Sequence, residues 1–126
     1  DSLLEQWAQL SAAQHSAILL ACGKLARHLH SVGQVHGCFY PKHIFLQPAG
    51  EGYAAQLIDL EKTRPLLFGW RDRVKDLEPL LRRAPQWSDA QVRQLLAAYL
   101  EQPEDGALVS TWHQRLTARR SHKENR

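Results

Sequence analysis

A short stretch of the sequence concentrates side chains that can bind a metal or move a proton. Within eight positions it holds two histidines, a thiol, a tyrosine and a lysine: His36, Cys38, Tyr40, Lys42 and His43. A helix-length apolar pattern precedes the stretch and a strand-like apolar run follows it. Binding and catalytic residues concentrate on loops that rigid elements hold, so the sequence predicts a functional loop here.

A lone carboxylate, Asp59, follows within the apolar run of residues 57 to 60. Burying a carboxylate is costly unless it meets a cation or hydrogen-bond donors. A magnesium ion bridging nucleotide phosphates would satisfy it, because hard cations take oxygen ligands. An ion pair with Lys62 or Arg64 would satisfy it equally well. The residues alone leave both interpretations open.

A soft metal is a further interpretation of the loop. His36, Cys38 and His43 are ligand types that zinc prefers. Their spacing matches no common zinc signature, however, and no fourth ligand is evident in the sequence. Zinc is therefore the less favoured metal.

Capping residues and the spacing of apolar residues predict the helices and strands that position the loop. The capping box at Ser11 opens an apolar stripe that predicts a helix over residues 12 to 32, with Gly33 as its left-handed terminator. The stripe comprises Ile18, Cys22, Leu25, Leu29 and Val32. A second capping box, at Ser2, predicts a shorter helix before it. Residues 44 to 46 and 55 to 60 read as the two strands of a hairpin that turns near Pro48 and Gly50.

Helical patterns return after the hairpin. Residues 69 to 71 look like loop, and the stripe from Val74 to Leu81 contains Pro79, which predicts a kink or a fresh start. Ser88 caps a helix that Pro103 stops. A last helix from about residue 106 has an inward face made of Leu108, Val109, Trp112 and Leu116. The predicted fold class is therefore mainly α with a small antiparallel β-hairpin.

Composition bounds the class of protein. The 126 residues suggest one domain, and no apolar run approaches the roughly 18 residues that a membrane span needs. Two cysteines do not make a disulfide framework, which predicts a reducing cytosol, and Cys22 reads as a small core residue. The chain holds no methionine, so we expect a fragment, a processed product or an engineered piece.

The positive charge is concentrated near one end. The net charge is +3, and residues 115 to 126 carry five lysines and arginines against one glutamate. This segment could bind phosphates of an anionic lipid or of nucleic acid through its positive charge. The alternative is a solvated tail that binds nothing. Nucleic-acid binding is the weakest of these expectations.

Several motifs together resemble the lipopolysaccharide-core kinases, including the InaA-type and Kdo/heptose kinases, within the protein-kinase-like fold. The loop of that family reads roughly His-x-Asp-x-Tyr-x-x-His, and His36, Tyr40 and His43 stand in this pattern. Protein kinases place a magnesium-binding aspartate one hairpin after the loop, and Asp59 matches it. Residues 70 to 77 resemble the next block. The resemblance covers roughly residues 12 to 83 and implies the C-terminal lobe of the kinase-like fold.

The resemblance also implies a function and roles for residues. It implies an ATP-dependent phosphotransferase acting on a sugar hydroxyl of a lipopolysaccharide-core-like glycan in a Gram-negative bacterium. Asp59 and His43 would hold Mg²⁺, and Lys42 would contact the transferring phosphate. His36 and Asp76 would brace the loop, although Asp76 could instead be a first-turn charge favoured by the helix dipole. The protein would be cytoplasmic, with its basic segment reaching an anionic membrane surface.

The sequence departs from the family pattern where that pattern has the catalytic aspartate, because Cys38 stands there. A slow or rewired kinase, a nucleotide-binding pseudokinase or regulatory scaffold, and an engineered substitution all remain open. The family's N-terminal lobe, with its nucleotide-binding lysine, is missing from this sequence, so we expect the isolated fragment to be inactive. The predicted organisation is one lobe over residues 1 to 120 and a basic tail over 121 to 126.

Overall fold

The structure is a computed structural model that describes residues 7–36, 44–49, 52–57, 63–66, 69–84 and 86–124. After a 3-10 turn at Trp7–Gln9, the elements follow in the order α1 Ala12–Ser31, β1 Gln34–Val35, β2 Ile44–Ala49, β3 Gly52–Leu57, β4 Arg64–Pro65, α2 Trp70–Arg82, α3 Asp89–Leu100 and α4 Ala107–Glu124. The predicted fold class, mainly α with a small antiparallel hairpin, is confirmed. The helix predicted from Ser2 falls largely outside the described residues.

Helices α1 and α3 begin at the capping boxes that the sequence predicts. The Ser11 hydroxyl accepts from the Gln14 N–H at 3.1 Å, and the Ser11 N–H donates to the Gln14 side chain at 2.8 Å. Ser88 and Gln91 repeat the arrangement at 3.2 and 2.9 Å. Each cap satisfies N–H groups that a helix leaves open and contributes about 1 kcal/mol.

The hairpin is longer than predicted. Strands β2 and β3 pair antiparallel from Ile44 opposite Leu57 to Ala49 opposite Gly52. Pro48 therefore lies in a strand rather than in the turn. In a two-stranded sheet both strands are edges, where a residue without an N–H is tolerated. The predicted end of the return strand, residues 58 to 60, lies outside the described residues.

A second, smaller sheet has no signal in the sequence. Strands β1 and β4 pair antiparallel over two residues each, Gln34 opposite Pro65 and Val35 opposite Arg64. The Leu66 N–H extends the contact by donating to the Gly33 carbonyl at 2.8 Å. This pairing fixes the segment that leaves α1, immediately before the predicted functional loop.

The prediction for the start of α2 is wrong. Trp70 and Arg71 are helical rather than loop, and Gly69, with φ of 60°, is the N-cap. Pro79 lies inside the helix and neither begins nor ends it, since the Arg83 N–H still donates to the Pro79 carbonyl at 3.1 Å. The proline costs α2 one internal hydrogen bond.

The core forms where α1 packs against α3. Gly23 marks the closest approach: a Cβ there would lie 2.6 Å from the Leu95 carbonyl oxygen and 2.7 Å from the Ala98 Cβ. Cys22 is buried beside it, as predicted, and this burial raises the pKa of its thiol to about 12. A neutral thiol packs as a small apolar group.

Some positions predicted to face inward do not. Val32 is 59% exposed because α1 ends before it, and Leu108 is 43% exposed in the first turn of α4. Helix α4 continues to Glu124, past the point where the sequence predicts a separate tail. Over the described ranges, every helix is too short or too polar to cross a membrane.

We expect Gly23→Ala to destabilise the fold by about 1 to 2 kcal/mol. Alanine favours a helix by about 1 kcal/mol. The overlaps with Leu95 and Ala98 are both under 3.0 Å and involve atoms that cannot rotate away, so we expect an overpacking cost of about 2 to 3 kcal/mol. Urea unfolding followed by circular dichroism measures the change. The control is Lys24→Ala, an exposed neighbour expected to stay within about 0.5 kcal/mol. A Gly23→Ala midpoint as unchanged as the control's would contradict the close approach.

Candidate functional site

A buried carboxylate on α2 meets the residue where the predicted functional loop begins. Asp76 is 5% exposed, and its Oδ2 accepts a hydrogen bond from the backbone N–H of His36 at 2.9 Å. The same oxygen lies 2.8 Å from Nε2 of His30 on α1. One carboxylate thereby ties α1, α2 and the residue that follows β1. Hydrogen bonds to a buried carboxylate offset the cost of removing it from water.

The alternative explanation for Asp76 is wrong. A charge favoured by the helix dipole must lie in the first turn, whereas Asp76 is the seventh residue of a helix that begins at Trp70. The first-turn acidic residue of α2 is Asp72. Because α2 begins at Trp70, Asp76 lies beyond the first turn, and its side chain is held by contacts with other elements.

His30 extends the network to α3. Its buried ring places Nδ1 2.6 Å from the Tyr99 hydroxyl, and the two rings meet edge to face with centroids 5.5 Å apart. An ionised carboxylate only accepts hydrogen bonds, so Nε2 is the donor to Asp76. In the neutral imidazole Nδ1 then accepts from the Tyr99 O–H. The ring thus has a partner on each side.

The Tyr99 hydroxyl keeps its proton to a higher pH than an ordinary tyrosine does, because burial raises its pKa to about 12, although the nearby Arg73 guanidinium opposes the shift. Its position is fixed from α1 as well. The Arg27 side chain donates to the Tyr99 carbonyl at 2.9 Å and also pairs with Glu101 at 3.0 Å. Contacts along α1 therefore hold the C-terminal end of α3 against the network.

His36, predicted to pack inward and hold the shape of the loop, is fully buried. Cys38, Lys42, His43 and Asp59 lie outside the described residues, so the roles predicted for them stay predictions. Among the residues that the structure does describe, no group of three or more histidine, cysteine, aspartate or glutamate side chains is placed to hold a metal.

His30 and Tyr99 were missed by the sequence reasoning. The available signal was a polar residue on an apolar face: His30 follows Cys22 and Ala26 at intervals of four, and both of these are buried. Tyr99 fell within the predicted stripe of α3, but nothing local indicated its partner. Taken together, the network performs no chemistry by itself. It holds the backbone at the entrance to the loop in one position.

We expect Tyr99→Phe to destabilise the protein by about 1 to 3 kcal/mol, because it leaves Nδ1 of the buried His30 without its partner. Chemical unfolding measures this loss. Tyr53→Phe is the control, since the contact of the Tyr53 hydroxyl with Gln14, at 3.5 Å, is exposed to solvent. Equal effects of the two substitutions would contradict a network that depends on Tyr99.

The raised pKa of Tyr99 also predicts how stability changes with pH. An unfolded tyrosine ionises near pH 10, whereas folded Tyr99 holds its proton to about 12. The stability from the neutral form is complete below pH 10 and is lost as the pH rises toward 12. Tyr99→Phe should therefore show a shallower alkaline decline in unfolding free energy. Cys22 adds a decline in the same direction to both proteins, so their difference reports Tyr99.

Known proteins share both sequence and fold with this chain. The model of the lipopolysaccharide kinase (Kdo/WaaP) family matches residues 1–99. Protein InaA of Escherichia coli (strain K12) is 31% identical over an alignment that covers 63% of this chain and 42% of that protein. The solved structure titled "WaaP in complex with acyl carrier protein" superposes with a TM-score of 0.71 at 20% identity, covering 92% of this chain and 54% of that one.

The structural match spans nearly all of the chain, and it confirms the predicted C-terminal lobe of a protein-kinase-like fold. The chain spans about half the length, or less, of the proteins it matches. All of α4 lies beyond the residues that the family model covers. Because that model matches well over half of the sequence, the chain belongs to the lipopolysaccharide kinase (Kdo/WaaP) family.

Proposed function

We propose that the chain is the C-terminal part of an ATP-dependent phosphotransferase that acts on a sugar hydroxyl of a lipopolysaccharide-core-like glycan. Membership of the family supports lipopolysaccharide kinase activity in general. The observation that carries the proposal is the hydrogen bond from the His36 N–H to Asp76. It fixes the backbone where the proposed catalytic loop begins.

Phosphoryl transfer depends mainly on positioning and electrostatic stabilisation, since its transition state is loose. A loop that carries catalytic groups therefore needs a rigid attachment. Asp76 and His30, on two different helices, supply one at His36, the residue where the proposed loop begins. On this proposal His36 and Asp76 are positioning residues, and Lys42, farther along the loop, contacts the transferring phosphate.

Asp59 and His43 are the proposed magnesium ligands. The carboxylate of Asp59 is the kind of hard oxygen donor that Mg²⁺ prefers. An imidazole is softer, so His43 contributes less as a direct ligand and more by orienting a water or a phosphate oxygen. The bound ion would neutralise charge on the nucleotide phosphates.

Cys38 occupies the position of the catalytic base. A thiol has an ordinary pKa near 8.5 and accepts a proton poorly until it ionises. Because the transition state is loose, the missing carboxylate should lower the rate rather than abolish transfer. The same residue supports a second candidate function, a nucleotide-binding pseudokinase that regulates or scaffolds without transfer.

The acceptor and the membrane are proposed partners. A kinase for a glycolipid must reach its acceptor at a membrane surface. The basic segment from Arg115 onward would be attracted to anionic lipids there. Contact would then be peripheral, at the inner face of the cytoplasmic membrane.

Nucleotide binding is tested on the full-length protein by thermal unfolding. We expect ATP with Mg²⁺ to raise the midpoint and ATP without Mg²⁺ to raise it less, since Asp59 would hold the metal and the metal would neutralise charge on the phosphates. Asp59→Asn should remove most of the magnesium-dependent part. Asp105→Asn is the control, because it removes the same charge from an exposed turn. Absence of any ATP effect in the wild type would contradict both candidate functions.

The Cys38→Asp variant separates the two candidates. If the protein is a weakened kinase, a carboxylate at position 38 should raise the rate of phosphate transfer to core-sugar acceptors by about tenfold or more. General-base catalysis typically contributes about a hundredfold or more, so tenfold is a low threshold. Transfer from radiolabelled ATP measures the rate, with Cys38→Ala as the control for altered packing. Magnesium-dependent ATP binding with no transfer by wild type or Cys38→Asp would leave the pseudokinase and exclude the enzyme.

A further inference from the structure

A groove lies between the start of α2 and the middle of α4, outside the network of Asp76. Its volume is about 380 Å³. The apolar part of its lining is Trp70, Val74 and Ala118, and the cations that line it are Arg71, Lys75, Arg115 and Arg119. Of the lining residues that the structure describes, Asp72 is the one carboxylate. We call this the α2–α4 groove.

Trp70 organises the cations of the groove. It is 46% exposed, and the guanidinium carbon of Arg115 lies 4.1 Å from its ring centroid, with that of Arg71 at 5.8 Å. Cation–π attraction holds a guanidinium against an aromatic face. Neither arginine forms a hydrogen bond or ion pair with a residue in the described ranges. Their N–H donors are thus held in place and available to a ligand.

Arg119 adds an incomplete contact to the same lining. Its Nε is buried and has no hydrogen-bond partner within the described structure. A buried donor without an acceptor costs about 1 to 3 kcal/mol. An acceptor that reaches Arg119 from the groove would remove that cost.

The charge of the lining defines the ligand. Among the described lining residues, four cations face one carboxylate. The first turn of α2 adds positive potential because Gly69 provides no side-chain cap. Mutual repulsion among these cations is relieved by an anion. A phosphate carries about −1.5 to −2 charges and offers several acceptor oxygens, and arginine matches its geometry with paired N–H donors.

We propose that the α2–α4 groove binds a phosphoryl group attached to a larger molecule. The groove is larger than a phosphate ion and falls within the range of sites for small organic ligands, about 300 to 1,000 Å³. The rest of the ligand would contact Trp70, Val74 and Ala118. Either a soluble sugar phosphate or a phospholipid headgroup presents this chemistry. The site does not depend on the proposed phosphotransfer, and Arg115 and Arg119 lie outside the residues matched by the family model.

The test measures binding by this chain and uses no nucleotide or transfer assay. Glucose 1-phosphate is titrated into the protein while tryptophan fluorescence and calorimetric heat are recorded. Phosphatidylglycerol vesicles, compared with phosphatidylcholine vesicles, form the second arm. We expect saturable binding in at least one arm. Trp70→Phe should remove the fluorescence change, since Trp70 is the tryptophan in the groove.

Arg115→Gln should weaken binding by about tenfold or more, because a hydrogen bond to a charged group is lost. Lys24→Gln is the matched control: it removes one positive charge from an exposed position on α1 and should change affinity less than twofold. Urea unfolding checks that both variants are folded. Selective weakening by Arg115→Gln in the sugar phosphate arm identifies a soluble ligand, and in the vesicle arm a lipid headgroup.

Two outcomes would overturn the proposal. One is the absence of saturable binding in both arms. The other is equal weakening by Arg115→Gln and Lys24→Gln, which would mean that net charge alone attracts the anion. Neither outcome bears on the proposed kinase function, because no catalytic step is measured.

Discussion

The Asp76 carboxylate is buried between His30 on one side and the His36 backbone N–H on the other. Removing a charge from water costs several kcal/mol unless hydrogen bonds replace the lost solvation. Both donors must therefore stay in place together, which couples the position of α1 relative to α2 to the backbone at His36. A shift of any one of these elements lengthens or breaks a hydrogen bond to this buried carboxylate. The constraint is strong because it is electrostatic as well as steric.

The same constraint reaches α3 through the close approach at Gly23. A Cβ at Gly23 would lie only 3.1 Å from the Tyr99 nitrogen, so the absence of a side chain there lets Tyr99 approach α1. Tyr99 then holds Nδ1 of His30, and His30 presents Nε2 to Asp76. A small residue in one helix interface thus helps to fix the network that holds the His36 backbone.

Local signals predicted the parts of the fold that local interactions determine. The capping boxes at Ser11 and Ser88 involve residues three apart, and both helices start where predicted. The β1–β4 pairing and the network of His30 depend on contacts between distant residues: His30 is 46 positions from Asp76 and 69 from Tyr99. A single sequence carries no record of such pairs. The bracing role of Asp76 was suggested by family resemblance alone.

Helix α2 has one face in the core and another in the α2–α4 groove, so the contacts that anchor it also determine how rigid the groove is. Asp76 and Leu77 face the core, whereas Trp70, Arg71 and Lys75 line the α2–α4 groove. A helix anchored by a buried carboxylate is a rigid wall for whatever occupies the groove, because rotating it would break the bonds to His30 and His36. An apolar residue at position 76 could stabilise such a helix as well as a buried charge does, but it would offer nothing to the His36 N–H. The charge is therefore best explained by the loop it holds. That explanation concerns where the backbone of the loop begins, and it applies whether or not Cys38 supports catalysis.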